Sequence, residues 1–323
     1  MGLLRKKYWY STMDFKRLLI ACIGVFLLAT CRKDAPVPEE DGCYTFPVPP
    51  ISSGFQYSYP HYLFREPCFN PLNSDEFVYV REIRENSVTT ELWKHIISTD
   101  TDIFLALGAF GHPQWGATGY VLFTRPDNKI WRIKINGDSL IQLTFGTGYD
   151  LSPLWNGEGD RFIYSGNNQP LIADIDGNTI DTVPVHGDWS ADGTKLCFVA
   201  GSGGSGHIAY YQITTGEMVN VASVPIDESV WEVYWKSDSR TIYWNTSKGF
   251  YKTDIAAMNT TKIRASCDSR RWTTFQFSGD GQKMIWERID SKLTGSDHNT
   301  IYQENNIFLL NPDGTGEQKI DIQ

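Results

Sequence analysis

Apolar runs of three to seven residues, rich in Val, Ile, Phe, Tyr and Trp, alternate with polar clusters of Gly, Asp, Asn and Ser over most of the chain. That pattern predicts short strands joined by tight turns. An aromatic beside a turn recurs six times, as Phe69, Trp115, Trp155, Trp189, Trp235 and Phe277, at separations of 46, 40, 34, 46 and 42 residues. A second aromatic follows at Tyr79, Phe123, Tyr164, Phe198, Trp244 and Trp286, nine residues on in four units, ten in the first and eight in the second.

Each unit contains four strand-like runs and no amphipathic helix. In the third unit these are residues 153–155, 161–165, 171–174 and 180–185, and Asn156–Asp160 and Asp176–Asn178 supply the turns. Asp-Gly and Asn-Gly pairs provide the positive-φ residues that tight hairpins need. A period of about 40 residues with four strands per period predicts an all-β fold, a six-bladed β-propeller of four-stranded antiparallel blades over residues 62–323. Blades buried on both faces account for the fixed aromatics, each contributing about 2–3 kcal/mol when fully buried. The final run, 318–322, predicts blades complete in linear order.

The turn after the first aromatic reads Ser190-Ala191-Asp192-Gly193 and Ser278-Gly279-Asp280-Gly281, with looser versions at 156–159 and 236–239. It resembles the Trp-Ser-Pro-Asp-Gly signature of the TolB-type propeller repeat, without the proline in any copy and without the Asp in the second. The resemblance covers residues 62–323 and implies the same propeller fold and a place in the cell envelope. TolB carries an α/β domain before its ring, whereas only residues 32–61 stand there in this sequence.

Residues 1–30 read as a signal peptide rather than as fold. Lys16 and Arg17 precede the apolar run Leu18–Ala29, too short for a bilayer core of ~30 Å. Met13 is an alternative start. Leu28-Ala29-Thr30-Cys31 resembles the lipobox of bacterial lipoproteins, with Thr30 in place of the usual small residue, and implies lipidation at Cys31. Residues 31–61 then form a tether and an extended segment, with Tyr44–Tyr59 expected against the ring. Lys33-Asp34 and the triplets Asp138-Ser139-Leu140 and Asp181-Thr182-Val183 are similar to export and glycosylation signals of Bacteroidota. These resemblances imply an outer-membrane lipoprotein on the periplasmic face or the cell surface, bound to the membrane through its N-terminal lipid.

Losing residues 1–30 removes five basic residues and one acidic residue from a formal net charge of −9, leaving −13. Such a domain repels phosphate backbones, so nucleic acid is not an expected partner. Cys43 and Cys68 are a candidate disulfide, and Cys197 reads as a small buried hydrophobe. No cysteine or histidine spacing points to zinc, and no cofactor is implied.

Counting three residues back from each first aromatic gives Glu66, His112, Ser152, His186, Glu232 and Thr274, a candidate ring at the channel mouth. His112 and His186 are the candidate metal ligands in it. A second candidate surface comprises Phe110, Tyr149, Trp231, Arg270, Arg271 and Trp272, all in segments between blades. The longest loop between second and third strands, about Ile289–Asn305, is a candidate partner contact. Gly201–Gly206 matches G-x-G-x-x-G but joins two strands and opens no helix, and no G-x-S-x-G elbow exists. Three readings remain: a non-enzymatic envelope protein binding a protein or other ligand, a metal-dependent carbohydrate-active enzyme similar to oligogalacturonate lyases, and a glycan-binding accessory protein.

Overall fold

The computed structural model describes residues 43–46, 54–167, 169–201, 206–294 and 299–322. The signal segment, Cys31 and most of the tether lie outside them. Among the described residues, 25 strands form six small sheets, and the one helical element is a 3-10 turn at Ile97–Thr99. The sheets follow one another in a ring, a six-bladed β-propeller.

Blade I is built from Tyr62–Asn70, Asn73–Arg84, Val88–Ile96 and Thr101–Leu107, and blade II from Phe110–Trp115, Tyr120–Thr124, Ile130–Lys134 and Ile141–Gln142. Blade III takes Asp150–Trp155, Arg161–Gly166, Gln169–Asp174 and Thr179–Thr182. Blade IV takes Asp188–Trp189, Lys195–Ala200, His207–Gln212 and Glu217–Ser223, and blade V takes Val230–Trp235, Thr241–Thr246, Gly249–Asp254 and Asn259–Ala265. Each is a four-stranded meander in chain order.

Blade VI has its four strands in chain order, as expected, and takes in a further strand from the N-terminal segment. Its strands Arg270–Phe277, Met284–Thr294 and Thr300–Leu310 carry only the two-residue outer strand Gln318–Lys319, and Gln56–Ser58 adds to the same edge in parallel, pairing with Thr300–Tyr302. The expected loop at Ile289–Asn305 is mostly strand. Ile289–Thr294 and Thr300–Asn305 continue the hairpin register, and Ile301, Gln303 and Asn305 are buried. A long hairpin exposes an edge of unpaired backbone groups, and the N-terminal strand covers part of it.

The signature turn owes its sequence to local hydrogen bonding. In blade IV the Ser190 hydroxyl donates to Asp192 at 2.6 Å and accepts the Lys195 N–H at 2.9 Å, while Gly193 N–H reaches the Ser190 carbonyl at 2.8 Å. Blade VI repeats this with Ser278, Asp280, Lys283 and Gly281. Ser and Asp are thus required to satisfy backbone donors in the turn, and Gly to supply its positive φ.

Five of the six first aromatics are buried and Phe277 is partly so, while five of the six second aromatics are buried and Phe198 is partly so. Blades touch closely at the first aromatic: the Trp155 indole donates to the Gln114 carbonyl at 3.1 Å and lies over Gly116, where a Cβ would sit 2.9 Å from its Nε1. At the closing seam a Cβ on Gly279 would come within 1.8 Å of the Pro71 carbonyl oxygen, so the turns of blades VI and I meet backbone to backbone.

The disulfide differs from expectation. Cys43 is bonded to Cys267, across 224 residues, and Cys68 is a buried free thiol. Cys68 is engaged elsewhere, its sulfur accepting the Trp115 N–H at 3.1 Å. The bond seats the N-terminal segment against the entry to blade VI, where Tyr44 N–H donates to the Ser269 hydroxyl and Phe46 N–H to Asp268, each at 2.9 Å.

Candidate functional site

Every inner strand begins at the face that carries the loops between blades and ends at the signature turn, so residues early in these strands surround the channel mouth. The inner strands are interrupted there. Register shifts fall between Arg65 and Cys68, Phe110 and Gln114, Leu151 and Leu154, Val230 and Glu232, and Trp272 and Phe275. Glu66, His112 and Ser152 have φ of 54°, 24° and 54°. Left-handed backbone at a non-glycine residue costs about 1–3 kcal/mol and concentrates at working sites. The bulge re-aims the side chain.

His112, Ser152, His186 and Glu232 line one cavity of about 310 Å³ at the mouth, together with Asp188, Trp231 and Tyr234. Glu66 and Thr274 face a narrower crevice shared with His112 and Tyr234. In blade order Glu66 adjoins His112 and His186 adjoins Glu232, yet the ion pair formed is between opposite blades: His112 Nε2 lies 3.3 Å from Glu232 Oε1. His186 Nε2 stands 2.7 Å from the Ser152 carbonyl oxygen. A carbonyl only accepts, so that nitrogen carries the proton and, in the neutral ring, Nδ1 is an acceptor.

Burial would lower His112, but Glu232, Glu66 and Glu287 outweigh it and hold the imidazole above its ordinary pKa, against Arg65. Burial lowers His186, partly offset by its bond to Ser152. Glu232 is pushed up by burial, against the attraction of His112 and a hydrogen bond from Tyr234. Beside the mouth, Arg65 lies 2.7 Å from Glu82 and 3.7 Å from Glu287, and Glu287 accepts the Glu66 N–H at 3.0 Å.

Next along the inner strands comes the residue just before each first aromatic. Here adjacent blades are stitched in a repeated way. The Cys68 sulfur accepts the N–H of Trp115, Asp188 accepts that of Trp235 at 2.8 Å, and Gln276 accepts that of Phe69 at 3.0 Å. Gln276 also donates to Gln114 at 3.3 Å. Asp188, which reading three residues back had passed over, is pushed up to about 7 by burial, against the N–H groups of Trp235 and Trp189 and with Glu232 adding to the rise. Its signal was available one residue before Trp189.

The second candidate surface divides. Phe110, Tyr149 and Trp231 are 55%, 65% and 37% exposed and rise from blades II, III and V around the mouth. Trp272 is 1% exposed, packed against Trp286 and Phe308 with the Arg264 and Arg288 guanidinium groups over its ring, so it belongs to the core and not to the rim. Arg270 and Arg271 are half-buried and paired in register with Asp290 and Ile289, with Arg270 Nε 3.9 Å from Asp290. Among the described residues no three His, Cys, Asp or Glu side chains are grouped to hold a metal ion.

No family model matches the chain. No curated protein matches it either. Solved structures do. A structure described as TolB from Agrobacterium tumefaciens is similar at 16% identity with a TM-score of 0.55, over 70% of this chain and 86% of that one. The β-propeller domain of the Trilobed protease from Pyrococcus furiosus, described as having an open velcro topology, is similar at 11% identity and a TM-score of 0.55, over 81% and 98%. Oligogalacturonate lyase from Vibrio parahaemolyticus is similar at 11% identity and a TM-score of 0.51, over 85% and 83%. At such identities likeness extends to the fold alone: this chain is a six-bladed β-propeller of the kind seen in TolB, and its mouth must be understood from its own residues.

Proposed function

We propose that the protein is a non-enzymatic, lipid-anchored component of a bacterial cell envelope, tethered to the outer membrane through Cys31, that captures a protein partner on the mouth of its propeller. The carrying observation is the set of three exposed aromatics, Phe110, Tyr149 and Trp231, arranged around a concave mouth. Aromatics anchor protein interfaces because they bury large area at low entropic cost, and loops on a rigid scaffold are where such contacts concentrate. The envelope setting rests on the lipobox-like segment and the TolB-type repeat.

The metal-dependent enzyme draws support from His112 and His186 sharing a cavity. Against it, each Nε2 already faces a protein oxygen, and the side chains around them do not form a ligand set. Glycan binding loses half of its tryptophan platform with Trp272 in the core.

Photo-crosslinking tests the reading. A photoreactive residue at Tyr149 should trap a specific envelope partner in native membranes, and Trp231→Ala should abolish the product. The same residue at Leu72, exposed in the turn between the first two strands of blade I, should not trap it. Equal trapping from Leu72, or trapping indifferent to Trp231→Ala, removes the mouth as the binding face.

A further inference from the structure

We propose that the mouth cavity receives a cationic, multi-donor group, the ammonium or guanidinium of a basic side chain on a peptide segment, with His112 as the resident counter-ion that the incoming cation displaces. This rests on the mouth being the binding face.

The first argument is the imbalance of donors and acceptors. Glu232 and Asp188 line the cavity as acceptors, and His186 presents Nδ1 as an acceptor because its Nε2–H is committed to Ser152. His112 directs Nε2 to Glu232, and in that ion pair its buried Nδ1 also carries a proton, a donor with no hydrogen-bond partner among the described residues that displacement of the ring would relieve. Satisfying the three acceptors Glu232, Asp188 and His186 together takes a group that brings several N–H donors and no lone pairs, which describes an ammonium or a guanidinium. A carboxylate, sulfate or phosphate would add acceptors to acceptors.

The second argument is charge. Nearby arginines are spent on other partners: Arg65 on Glu82 and Glu287, and Arg84 on Glu82. Among the described residues Glu232 is left with His112 as its one ion-pair partner, and Asp188 with backbone N–H groups. A desolvated carboxylate opposite one titratable imidazole attracts a permanent cation.

The third argument is size and rim. About 310 Å³ lies at the lower end of the range for ligand pockets, suited to one long side chain rather than to an extended oligomer. Trp231 lines the cavity and is exposed, placing an aromatic face beside the route of the cation and its alkyl stem.

Displacement gives the site a pH signature. The groups facing His112 are Glu232, Glu66, Glu287 and Arg65, with Tyr234 and Asp188 on the neighbouring walls. As pH rises through about 7 Asp188 gains its charge, which favours an external cation, and any loss of the His112 proton acts in the same direction.

Calorimetric titration of the full chain with three N-acetylated, C-amidated pentapeptides tests the proposal: Gly-Phe-Lys-Phe-Gly and its norleucine and glutamate analogues at the centre, at pH 6 and pH 8. At pH 8 the lysine peptide should bind at least tenfold more tightly than the norleucine peptide, with no heat from the glutamate peptide. Its affinity should fall at least threefold at pH 6. Glu232→Gln should weaken the lysine peptide at least tenfold and leave the norleucine peptide unchanged, and Trp231→Ala should weaken both. Lysine and norleucine peptides binding alike, no binding by either, or indifference to Glu232→Gln overturns the cation site. These outcomes leave the mouth itself in place as the binding face; indifference of the lysine and norleucine peptides to Trp231→Ala and Phe110→Ala combined would remove that as well.

Discussion

Asp188 of blade IV accepts the backbone N–H of Trp235 in blade V at 2.8 Å, so a carboxylate that burial pushes up to about 7 joins two adjacent blades. Stability should therefore depend on pH near neutrality.

The direction follows from the shifts. Asp188 has a folded value far above the ordinary ~3.9 of a carboxylate, so the stability it contributes is complete below about pH 4 and lost as pH rises through 7. Glu232, Glu287 and His112 are raised as well and act in the same direction. The free energy of unfolding in urea should fall between pH 5 and pH 8. Asp188→Asn keeps an oxygen for the Trp235 N–H and should flatten that slope. An unaltered slope in the variant would assign the dependence to other groups.

Replacing Cys43 and Cys267 together by serine should lower stability by roughly 5 kcal/mol at most in the loop-entropy model, because the bond closes a loop of over 200 residues. The loss should be local in its first expression. Amide exchange at Tyr57 and Ser58, which pair with the blade VI edge, should accelerate before exchange in blades II to IV. Uniform acceleration in all blades would show that the bond acts only on the unfolded chain.

Two tryptophans assigned to one surface from sequence should behave as opposites. Trp272→Ala empties a fully buried site and should cost about 3–5 kcal/mol. Trp231→Ala, at 37% exposure, should cost roughly 1 kcal/mol or less and act on capture. Comparable thermal shifts for both would contradict the division between core and rim.

The repeat was legible because each blade must present a wide side chain to its neighbour at the same height, and a constraint met six times leaves a spacing in the sequence. The candidate site was legible in part for the same reason: three residues before each aromatic is where the inner strand bulges. What spacing cannot convey is which blades face each other, since adjacency along the chain pairs His112 with Glu66 while ring closure pairs it with Glu232. Trp272 misled because it stands between blades in sequence, yet its strand enters the core within two residues of Arg270. Cys43 likewise was paired from sequence with Cys68, and the seating of the N-terminal segment at blade VI gives it Cys267 instead.

The Cys43–Cys267 bond also fixes a direction. Cys267 lies in the connection between blades V and VI, on the same side of the ring as the mouth, so Cys43 is held on that side. Whatever enters the mouth therefore approaches on the side of the ring where this disulfide clamps residues 43–46.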